Sequence, residues 1–306
     1  MPSHPHPRVS IIVPSRNRQS LLNACVAGIA TSAEGHAAEL IIVDDGSEPP
    51  IVAQTENEGL ESVLLRLDGE GPAAARNAGA AVARGDIVLF TDDDAVPFAE
   101  WISAAVGYLD SHPSMVGVTG PIHSIAWDPL YEQSIEADSP GHYWTCNIAY
   151  RREVFESIGG FRADVFSFAH AEDRDIALRA IAIGQIGFAP GMEVSHTPRL
   201  ITLRDVARQA RWARDDLTLY ALHPELTADF ALRPKLALIV GAGRRWLNYG
   251  LRSQPGARSQ PRLSVTRLAR ALALSGVAAI ATAWTVMRTP SARVLRSRHA
   301  PTGRGV

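Results

Sequence analysis

The sequence predicts an α/β fold in which a mostly parallel β-sheet is flanked by helices on both faces. Four short apolar runs have the length and composition of strands buried on both faces: 9–13, 40–43, 63–67 and 87–90. Segments with helical spacing lie between most of these runs. Strands that alternate with helices are typical of parallel sheets, and their ligands bind outside the carboxyl ends of the strands.

The composition is that of a globular protein with a sizeable core, in one large domain or two small ones. Of 306 residues, 46% are hydrophobic and 20% are charged. These values exclude collagen-like, wholly disordered and disulfide-rich scaffolds. The two cysteines, Cys25 and Cys146, cannot form a metal cluster by themselves and fit a reducing compartment.

The first half of the chain follows the alternating pattern closely. Pro14 is expected to end the first strand, and Ser20 is expected to cap the first helix. An Ala-rich helix is expected over 72–84, with a proline in its first turn and Gly85 as its C-terminal cap.

The second half is less regular. A strand is expected over 115–118, and 122–144 is expected to be a long loop. Short strands are expected between 186 and 196. The remaining segments with helical spacing are 98–109, 153–158, 171–183 and 203–220.

The chain is predicted to divide into an α/β domain and a C-terminal extension. Residues 1–8 are rich in proline and histidine and are expected to be a disordered lead. No apolar stretch long enough for a signal peptide follows them, which predicts a cytoplasmic location. The α/β domain is assigned to 9–222, and a helical, Arg-rich extension to 223–306 with a linker near 253–261.

Three aspartates, Asp92, Asp93 and Asp94, follow the predicted strand over 87–90. Carboxylates this close repel each other unless a cation or hydrogen-bond donors neutralise them. A hard divalent ion such as Mg²⁺ takes carboxylate oxygens and keeps room for substrate phosphates. A solvated Asp-rich turn is the alternative, but the position at a strand end favours the metal.

A second polar cluster, at residues 44–47, follows the predicted strand over 40–43. Its sequence suits an Asx-type turn, and an aspartate there is also suited to accept a hydrogen bond from a base or ribose. Arg76 lies in the Ala-rich helix. It is either an ordinary surface arginine or a group that binds phosphate, since a guanidinium binds phosphate in a bidentate manner.

The acidic run at residues 172–175 opens a helix with an apolar stripe. Acidic residues in a first turn stabilise the helix dipole, and the same position suits a general base. His196 follows a predicted strand. It is either structural or the imidazole of a carboxylate–imidazole metal site.

The order of these motifs resembles family 2 glycosyltransferases of the GT-A fold, from residue 9 to about residue 220. The three aspartates occupy the place of the family's DxD motif. The matching segments are 9–17, 42–47, 71–79, 91–94, 147–155 continuing to 161, and 172–175. The resemblance implies a metal-dependent, hexosyltransferase-type enzyme that moves a sugar from a nucleotide-sugar donor to an acceptor hydroxyl with inversion.

The resemblance also implies roles for individual residues. Asp173 is implied as the catalytic base. The implied metal ligands, for Mn²⁺ or Mg²⁺, are Asp92, Asp94 and His196. The groups implied around the nucleotide-sugar are Pro14, Arg16, Asp45, Arg76, Asp92 and Asp93. The groups assigned to the acceptor are Trp144, Asn147 and Glu172, with a core position as the alternative for Trp144.

Other classes fit less well. Residues 14–17 follow the first strand where a dinucleotide-dependent oxidoreductase would have a glycine-rich turn. An aspartate-based phosphohydrolase would need an aspartate there. Processive family members carry Gln-x-x-Arg-Trp, whereas 209–212 is one residue short, so we expect one or few sugars per encounter. A non-catalytic homologue that binds a nucleotide-sugar or a glycan is the remaining alternative.

The C-terminal segment is strongly basic. Residues 241–306 hold twelve arginines and no acidic residue, whereas the rest of the chain holds 18 basic and 32 acidic residues. Within it, the uncharged run 271–287 is short for a membrane span. The larger apolar residues of this region fall on one helical face: Leu268, Leu272, Ile280, Trp284 and Met287.

This pattern predicts a helix that lies on an anionic membrane surface, with packing against protein or a dimer partner as the alternative. Membrane contact would place the enzyme peripherally on the inner face of the cell membrane. It would also favour a lipid-linked acceptor or a cell-envelope glycan. A homo-oligomer is compatible with the sequence, and no nucleic-acid partner is expected.

Overall fold

The structure is a computed structural model that describes residues 6–52, 60–125, 127–166, 168–227, 234–251 and 265–290. The chain forms two compact units. The first unit comprises residues 1–125 and 135–197, and the second comprises 126–134 and 198–306.

The described residues form strands and helices that alternate through the first unit. The strands are β1 (Val9–Ser15), β2 (Ala38–Asp45), β3 (Glu61–Leu67), β4 (Ile87–Phe90), β5 (Ala95–Pro97), β6 (Met115–Thr119), β7 (Ile122–Ser124), β8 (Glu132–Gln133), β9 (Ile148–Arg151), β10 (Gln185–Phe188), β11 (Val194–His196) and β12 (Arg199–Leu200). The helices are α1 (Gln19–Ser32), α2 (Pro72–Val82), α3 (Trp101–Ser111), α4 (Arg152–Ser157), α5 (Glu172–Ile181), α6 (Leu203–Gln209), α7 (Trp212–Leu222), α8 (Pro234–Leu251) and α9 (Val265–Arg288).

The first unit is built on a seven-stranded sheet in the order β10-β6-β9-β4-β1-β2-β3. Strand β1 pairs in parallel with β2 and β4, and Ile12 lies opposite both Ile41 and Phe90. Strand β9 runs antiparallel between β4 and β6. Because β1, β2 and β4 are parallel, the residues that follow them meet at one edge of the sheet. This mixed, mostly parallel architecture confirms the predicted fold class.

Side chains of β1 alternate between two hydrophobic cores, as the period of a strand requires. Ile11 and Val13 pack with helices α1 and α3 on one face. Ile12 packs on the other face with residues of α2, α4 and α5. Helix α2 approaches this face closely at Gly79, where an ideal Cβ would lie 2.6 Å from Ile12 Cγ2.

Three local predictions are wrong. Strand β1 continues past Pro14, because the strand keeps its pairing with β2 as far as Ser15. Ser20 does not cap α1, which begins one residue earlier without a side-chain cap. Gly85 does not cap α2, which ends at Val82. It instead allows close packing on β1, since an ideal Cβ there would lie 2.6 Å from the backbone nitrogen of Ser10.

Several elements extend or interrupt the predicted ones. Strands β7 and β8 lie within the predicted loop 122–144, and β9 lies where no strand is predicted. The predicted helix 203–220 is divided at residues 210–211 into α6 and α7. Predicted segments 1–5 and 253–261 lie outside the described residues. The rest of the predicted lead belongs to the first unit, since Pro7 is buried and Arg8 pairs with Asp86 and Asp110.

The second unit is mainly helical, with β8 and β12 paired antiparallel. The first unit ends at Thr197, and α6 and α7 group with the C-terminal helices in the second unit. A small core joins α6 to α9. Its buried members are Leu130, Ile201, Val206, Ala271, Leu274 and Ala278.

Helices α8 and α9 form an antiparallel pair. Lys235 Nζ, near the start of α8, donates to the carbonyl oxygens of Val286 (3.1 Å) and Thr289 (3.0 Å) near the end of α9. Among the described residues, one stretch, Leu268–Arg288 of α9, has the length and hydropathy of a membrane span. Core helices of soluble proteins also meet this criterion.

Candidate functional site

The carboxyl edge of the sheet gathers most of the predicted site residues. The turn that holds Asp92, Asp93 and Asp94 follows β4, and Asp45 ends β2. Arg76 lies on α2, and Glu172 and Asp173 begin α5. Parallel pairing of β1, β2 and β4 therefore brings together groups that lie far apart in the sequence.

Asp93 lies buried between two partners contributed by β1 and the residues after it. Its Oδ2 accepts from Ser15 Oγ (2.6 Å), and its Oδ1 accepts from the Arg18 guanidinium (2.9 Å). The same Arg18 nitrogen donates to Asp94 Oδ2 (2.9 Å). Burial raises the pKa of Asp93 to about 6, although the charge of Arg18 opposes the shift.

His196 is brought beside Asp94 by strand pairing. Strand β11 runs antiparallel to β5 with His196 opposite Ala95, and the backbone nitrogen of Thr197 donates to the carbonyl of Asp94 (2.8 Å). As a result, His196 Nε2 lies 3.5 Å from Asp94 Oδ1. Among the described residues, no group of three or more His, Cys, Asp and Glu side chains is arranged to hold a metal ion. Asp92 instead pairs with Arg76.

The Arg76 side chain is enclosed, with 3% of its surface exposed. One terminal nitrogen donates to Asp92 Oδ1 (2.6 Å), and the other donates to Glu172 Oε1 (3.0 Å). The guanidinium carbon lies 5.7 Å from the centroid of the Phe161 ring. Burial alone would lower the pKa of Arg76, but the two carboxylates outweigh it and raise the pKa above its ordinary value.

The start of α5 carries the candidate base. Ala171, which precedes the helix, has a φ of 72°, a left-handed conformation that costs a non-glycine residue about 1–3 kcal/mol and is common at functional sites. Asp173 is buried, and its Oδ1 accepts from the backbone nitrogen of Arg174 (2.7 Å). Glu172 Oε2 is buried without a hydrogen-bond partner.

Both acidic groups are more easily protonated than free carboxyls. Burial raises the pKa of Glu172 to about 7, and the neighbouring charge of Asp173 acts in the same direction. Burial also raises the pKa of Asp173, against the lowering effects of the Arg174 amide, His170 and Arg76. A buried carboxylate with a raised pKa can accept a proton near neutral pH.

The residue predicted to bind the acceptor at position 147 has another function. Asn147 is 1% exposed, and its Oδ1 accepts from Trp101 Nε1 (2.8 Å). Its Nδ2 donates to the carbonyls of Pro121 (2.9 Å) and Met192 (2.8 Å). The side-chain amide of Asn147 therefore links three segments of the chain by hydrogen bonds. It presents no polar atom to a ligand. Trp144 is half-buried against the core, as the alternative for this residue predicts, and its indole nitrogen is buried without a partner.

The cluster at the end of β2 forms a structural turn. Asp44 accepts from the backbone nitrogens of Ser47 (2.8 Å) and Ile51 (3.1 Å) and pairs with Arg66. Asp45 accepts from the backbone nitrogens of Glu70 (2.7 Å) and Gly71 (3.0 Å), and so holds the loop before α2. Of the two interpretations of this cluster, the Asx-type turn therefore applies to Asp44.

Two residues predicted to lie around a nucleotide occur at the end of β1. Arg16 is exposed, and its guanidinium lies beside Gly69. Pro14 is half-buried within the strand. Both lie at the same edge as the aspartate turn.

Arg18 and Ser15 are the site residues that sequence reasoning misses. A signal for them is present in the sequence, because three adjacent carboxylates need donors, and the neighbouring parallel strand ends at Ser15 and is followed by Arg16-Asn17-Arg18. The pairing of β1 with β4 supplies these donors.

Residues 10–163, half of the chain, match the sequence model of the family described as "Glycosyl transferase family 2". A "Pre-mycofactocin glycosyltransferase" of Mycobacterium tuberculosis is 29% identical over 269 residues, which cover 79% of this chain and 55% of the relative. A "Glucosyl-dolichyl phosphate glucuronosyltransferase" of Haloferax volcanii is 28% identical over 142 residues, which cover 40% of this chain and 45% of the relative. The chain thus spans about half the length of the curated relatives it matches.

The fold is also similar to that of solved structures. A mannosyltransferase, PcManGT from Pyrobaculum calidifontis, in complex with GDP-Man and Mn²⁺, superposes with a TM-score of 0.54 at 18% identity. The match covers 93% of this chain and 89% of that one. Identity at this level supports the shared fold alone.

Proposed function

The chain belongs to glycosyl transferase family 2, and from this membership we propose that it moves a sugar from a nucleoside-diphosphate sugar to an acceptor hydroxyl, with inversion. The observation that carries the proposal is the juxtaposition of the aspartate turn and the acidic start of α5, which Arg76 joins. The turn suits the diphosphate, and the helix start suits the acceptor. A protein that only bound the donor would not need a buried base candidate beside it.

Asp173 is the proposed general base. The Arg174 amide holds its Oδ1, which leaves Oδ2 to accept the proton of the acceptor hydroxyl. The deprotonating oxygen attacks the anomeric carbon from the face opposite the leaving diphosphate, which inverts the configuration. Holding donor and acceptor in line removes several kcal/mol of entropic barrier, of the roughly 7–11 kcal/mol available to ideal positioning.

Asp94 and His196 have the chemistry of a divalent-cation site, since their carboxylate and imidazole groups are 3.5 Å apart. With Asp92, whose side chain is 29% exposed, they would hold Mn²⁺ or Mg²⁺. The cation would offset the negative charge that develops on the leaving diphosphate. Arg18 neutralises Asp93 and part of Asp94, which allows three adjacent aspartates to share the turn. The similar mannosyltransferase structure contains Mn²⁺ and GDP-Man, which supports this assignment.

The nucleotide is proposed to lie over Pro14, Arg16 and Asp45. Arg16 is exposed at the edge and suits a diphosphate or base contact. Asp45 already accepts two backbone hydrogen bonds, so its proposed contribution is to shape the loop at Gly71 beside the nucleotide.

A nucleotide panel tests this function. Thermal unfolding with UDP, GDP and dTDP, each with and without Mn²⁺, should show one nucleotide that raises the unfolding temperature, because a ligand that binds the native state stabilises it. Transfer or hydrolysis of the matching nucleotide-sugar should stop in excess chelator and return with Mn²⁺ or Mg²⁺. Asp94→Asn should weaken the Mn²⁺-dependent shift. Full turnover in excess chelator would remove the metal from the proposal, and no response to any nucleotide would contradict donor binding.

We also propose that the acceptor is lipid-linked or a cell-envelope glycan, and that α9 meets the inner surface of the membrane. Four larger apolar side chains of α9 are more than half exposed: Leu272, Ile280, Trp284 and Met287. Arg288 stacks over the Trp284 ring at 4.0 Å, and the sequence around α9 is rich in arginine without acidic residues. An apolar face with basic flanks suits an anionic lipid surface. The name of the Haloferax relative, which includes a dolichyl phosphate, supports a lipid-linked acceptor.

Liposome flotation tests the membrane proposal. The full chain should float with vesicles of phosphatidylcholine and phosphatidylglycerol at low salt, and less with phosphatidylcholine alone. The variant Ile280→Glu/Met287→Glu should stay unbound. Leu200→Glu is the matched control, since Leu200 is 78% exposed outside α9 and its replacement should leave flotation unchanged. A chain that ignores anionic vesicles, or a dimer that the double variant splits, would assign the face to protein contact instead.

A further inference from the structure

We propose that Asp175 and Arg179 are positioning residues, whose buried ion pair holds the first turn of α5 in the place where Asp173 can act. The inference rests on the proposed function and adds two residues that act through Asp173 rather than on the substrate. The sequence places Asp175 in the acidic run that opens α5. The structure distinguishes it from Asp173, because Asp175 is committed to two arginines.

The carboxylate of Asp175 is fully buried and is shared by these two arginines. Its Oδ1 accepts from Arg162 Nη1 (3.1 Å), and its Oδ2 accepts from Arg179 Nε (2.9 Å). The side chain of Arg179 is 12% exposed, and that of Arg162 is 34% exposed. Burial lowers the pKa of Arg179, and the charge of Asp175 opposes this shift. The charges of Asp175 and Arg179 therefore depend on each other, because either one alone would be buried without compensation.

Arg179 also holds the turn that follows α4. Its Nη1 donates to the carbonyl oxygen of Ile158 (2.6 Å), and its Nη2 donates to that of Gly160 (2.7 Å). Gly160 has a φ of 63°, and an ideal Cβ there would lie 2.7 Å from Asn77 Oδ1, so the turn needs glycine at this position. A single guanidinium thus joins a side chain of α5 to two carbonyls of this turn. A lysine ammonium cannot present the same fork of donors.

The turn continues into the side of the sheet that leads to the aspartates. Phe161 follows Gly160, and its ring packs edge-to-face against Phe90 with the ring centroids 5.3 Å apart. Phe90 is the last residue of β4, and Asp92 follows two positions later. Asn77 fixes the backbone of Phe161, since its Oδ1 accepts from the Phe161 nitrogen (2.9 Å) and its Nδ2 donates to the carbonyl (2.7 Å). The ion pair therefore ties the helix of the proposed base to the strand that precedes the aspartate turn.

The ion pair also holds the left-handed start of α5. Ala171 has a φ of 72°, and the backbone nitrogen of Asp175 donates to its carbonyl (2.9 Å), which closes the first turn of the helix. A left-handed alanine persists only where the surrounding structure holds it. Asp175 provides this hold through its side chain, and Asp173 lies on the same turn, two residues earlier. Loss of the pair should therefore loosen this turn and displace Asp173 from the acceptor hydroxyl.

The test compares Arg179→Lys with the wild type in the full chain, with Arg152→Lys as the matched control. Arg152 makes the same kinds of bond on α4, because its Nε donates to the carbonyl of Gly85 (2.7 Å) and its Nη1 pairs with Glu156 four residues away (3.0 Å). Turnover is measured with Mn²⁺ as the release of UDP from UDP-N-acetylglucosamine and of GDP from GDP-mannose.

Arg179→Lys should lower kcat at least about tenfold, since a misplacement of about 1 Å can cost roughly 10²-fold. The Kd of UDP or GDP with Mn²⁺ should change less than about threefold, because the pair acts on the base rather than on donor binding. Arg152→Lys should change neither quantity.

Amide hydrogen exchange supplies a readout that needs no substrate. Arg179→Lys should speed exchange at the start of α5 by at least about tenfold and leave α1 and α3 unchanged, because the pair holds that turn locally. A merely structural pair would speed exchange across the whole first unit. Asp175→Asn/Arg179→Gln removes both charges together, so it leaves neither of them buried without its partner. It should give the same pattern of kcat, Kd and exchange if Arg179→Lys fails to fold.

Three results would overturn the positioning role: a normal kcat in these variants, exchange that speeds equally in α1 and α3, or equal losses of kcat and nucleotide affinity. The last pattern would place the effect on donor binding. A wild-type chain that neither binds nucleotide nor turns over would instead reject the proposed function. The exchange result in the variants would then still decide whether the ion pair holds α5.

Discussion

Two buried glutamates at opposite edges of the same sheet have opposite chemistry. Glu39, at the amino edge, is 1% exposed and accepts from Ser10 Oγ (2.5 Å) and from the Arg84 amide (2.7 Å) and Nε (2.8 Å). These donors lower its pKa, although burial acts to raise it. Glu172, at the carboxyl edge, is 3% exposed, but one of its oxygens lacks a partner and its pKa rises to about 7.

The difference shows that hydrogen-bond donors can outweigh burial and keep a carboxylate ionised, as at Glu39, whereas burial with fewer donors raises the pKa, as at Glu172. The amino edge satisfies its acid fully and thereby contributes to stability. At the carboxyl edge the acidic side chains have fewer hydrogen-bond donors. This costs stability and keeps the carboxyl groups able to exchange protons. Local costs of this kind are expected at functional sites.

The largest expected effect is the loss of transfer at the carboxyl edge. Asp173→Asn keeps the shape of the side chain but cannot take a proton, so turnover should fall by roughly 10²–10⁴ while donor affinity is retained. Steady-state kinetics and nucleotide binding measure the two quantities separately. Glu39→Gln, an equally conservative change at the amino edge, should leave the turnover of the folded enzyme unchanged. Normal turnover in Asp173→Asn would make Asp173 a helix-start acid and direct attention to Glu172 and Asp175.

The second effect is the pH dependence of stability that Glu172 imposes. Its folded pKa of about 7 lies above its ordinary value, so its contribution to stability is fully present below about pH 4.5 and is lost as the pH rises through 7. Glu172→Gln should therefore match the wild type near pH 4.5 and be more stable at pH 8, by up to about 3 kcal/mol. Urea unfolding at pH 4.5, 6 and 8 measures this difference. Parallel pH profiles for the two proteins would contradict the raised pKa.

The sequence predicts some parts of this structure and not others. The apolar runs that became β1, β2, β3 and β4 are continuous because parallel strands are buried on both faces, and this signal is local. Strand β9 carries a weaker signal because it pairs antiparallel with strands whose residues precede it by 29 to 64 positions. The spacing of residues within β9 does not predict such pairing. Residue types at the strand ends predict where the candidate site lies.

The partners of the site residues depend on the fold. Arg76 and Glu172 are 96 positions apart, so that no spacing rule predicts their contact. Asn147 appears in the sequence as a polar residue available for a ligand, and only its enclosure by Trp101, Pro121 and Met192 shows that it is structural. Sequence reasoning thus identifies groups with reactive chemistry, and packing determines which of them are already committed.

The third effect is the stability that the amino edge contributes. In Glu39→Gln the amide group would place its own donor against the Arg84 donors, which leaves buried polar atoms unpaired at a cost of about 2 kcal/mol. Because the folded pKa of Glu39 is lowered, this contribution is present above about pH 4.5 and is lost as the pH falls through the folded value. Urea unfolding should show a large difference from the wild type at pH 7 and a smaller one at pH 3.5, opposite in sign to the trend at Glu172. Equal stability at pH 7 would contradict the contrast between the edges.

The smallest effect separates buried from exposed charge at the amino edge itself. Arg8 pairs with Asp86 and Asp110, but its side chain is 39% exposed and those of its partners are about half exposed. Water solvates all three groups after the arginine is removed, so Arg8→Gln should cost no more than about 1 kcal/mol and less at high salt. Urea unfolding in 50 mM and 500 mM salt tests this. A loss as large as that of Glu39→Gln would mean that charge pairing, and not the enclosure of an unpaired acid, determines stability at this edge. The distinction between the two glutamates would then need another cause.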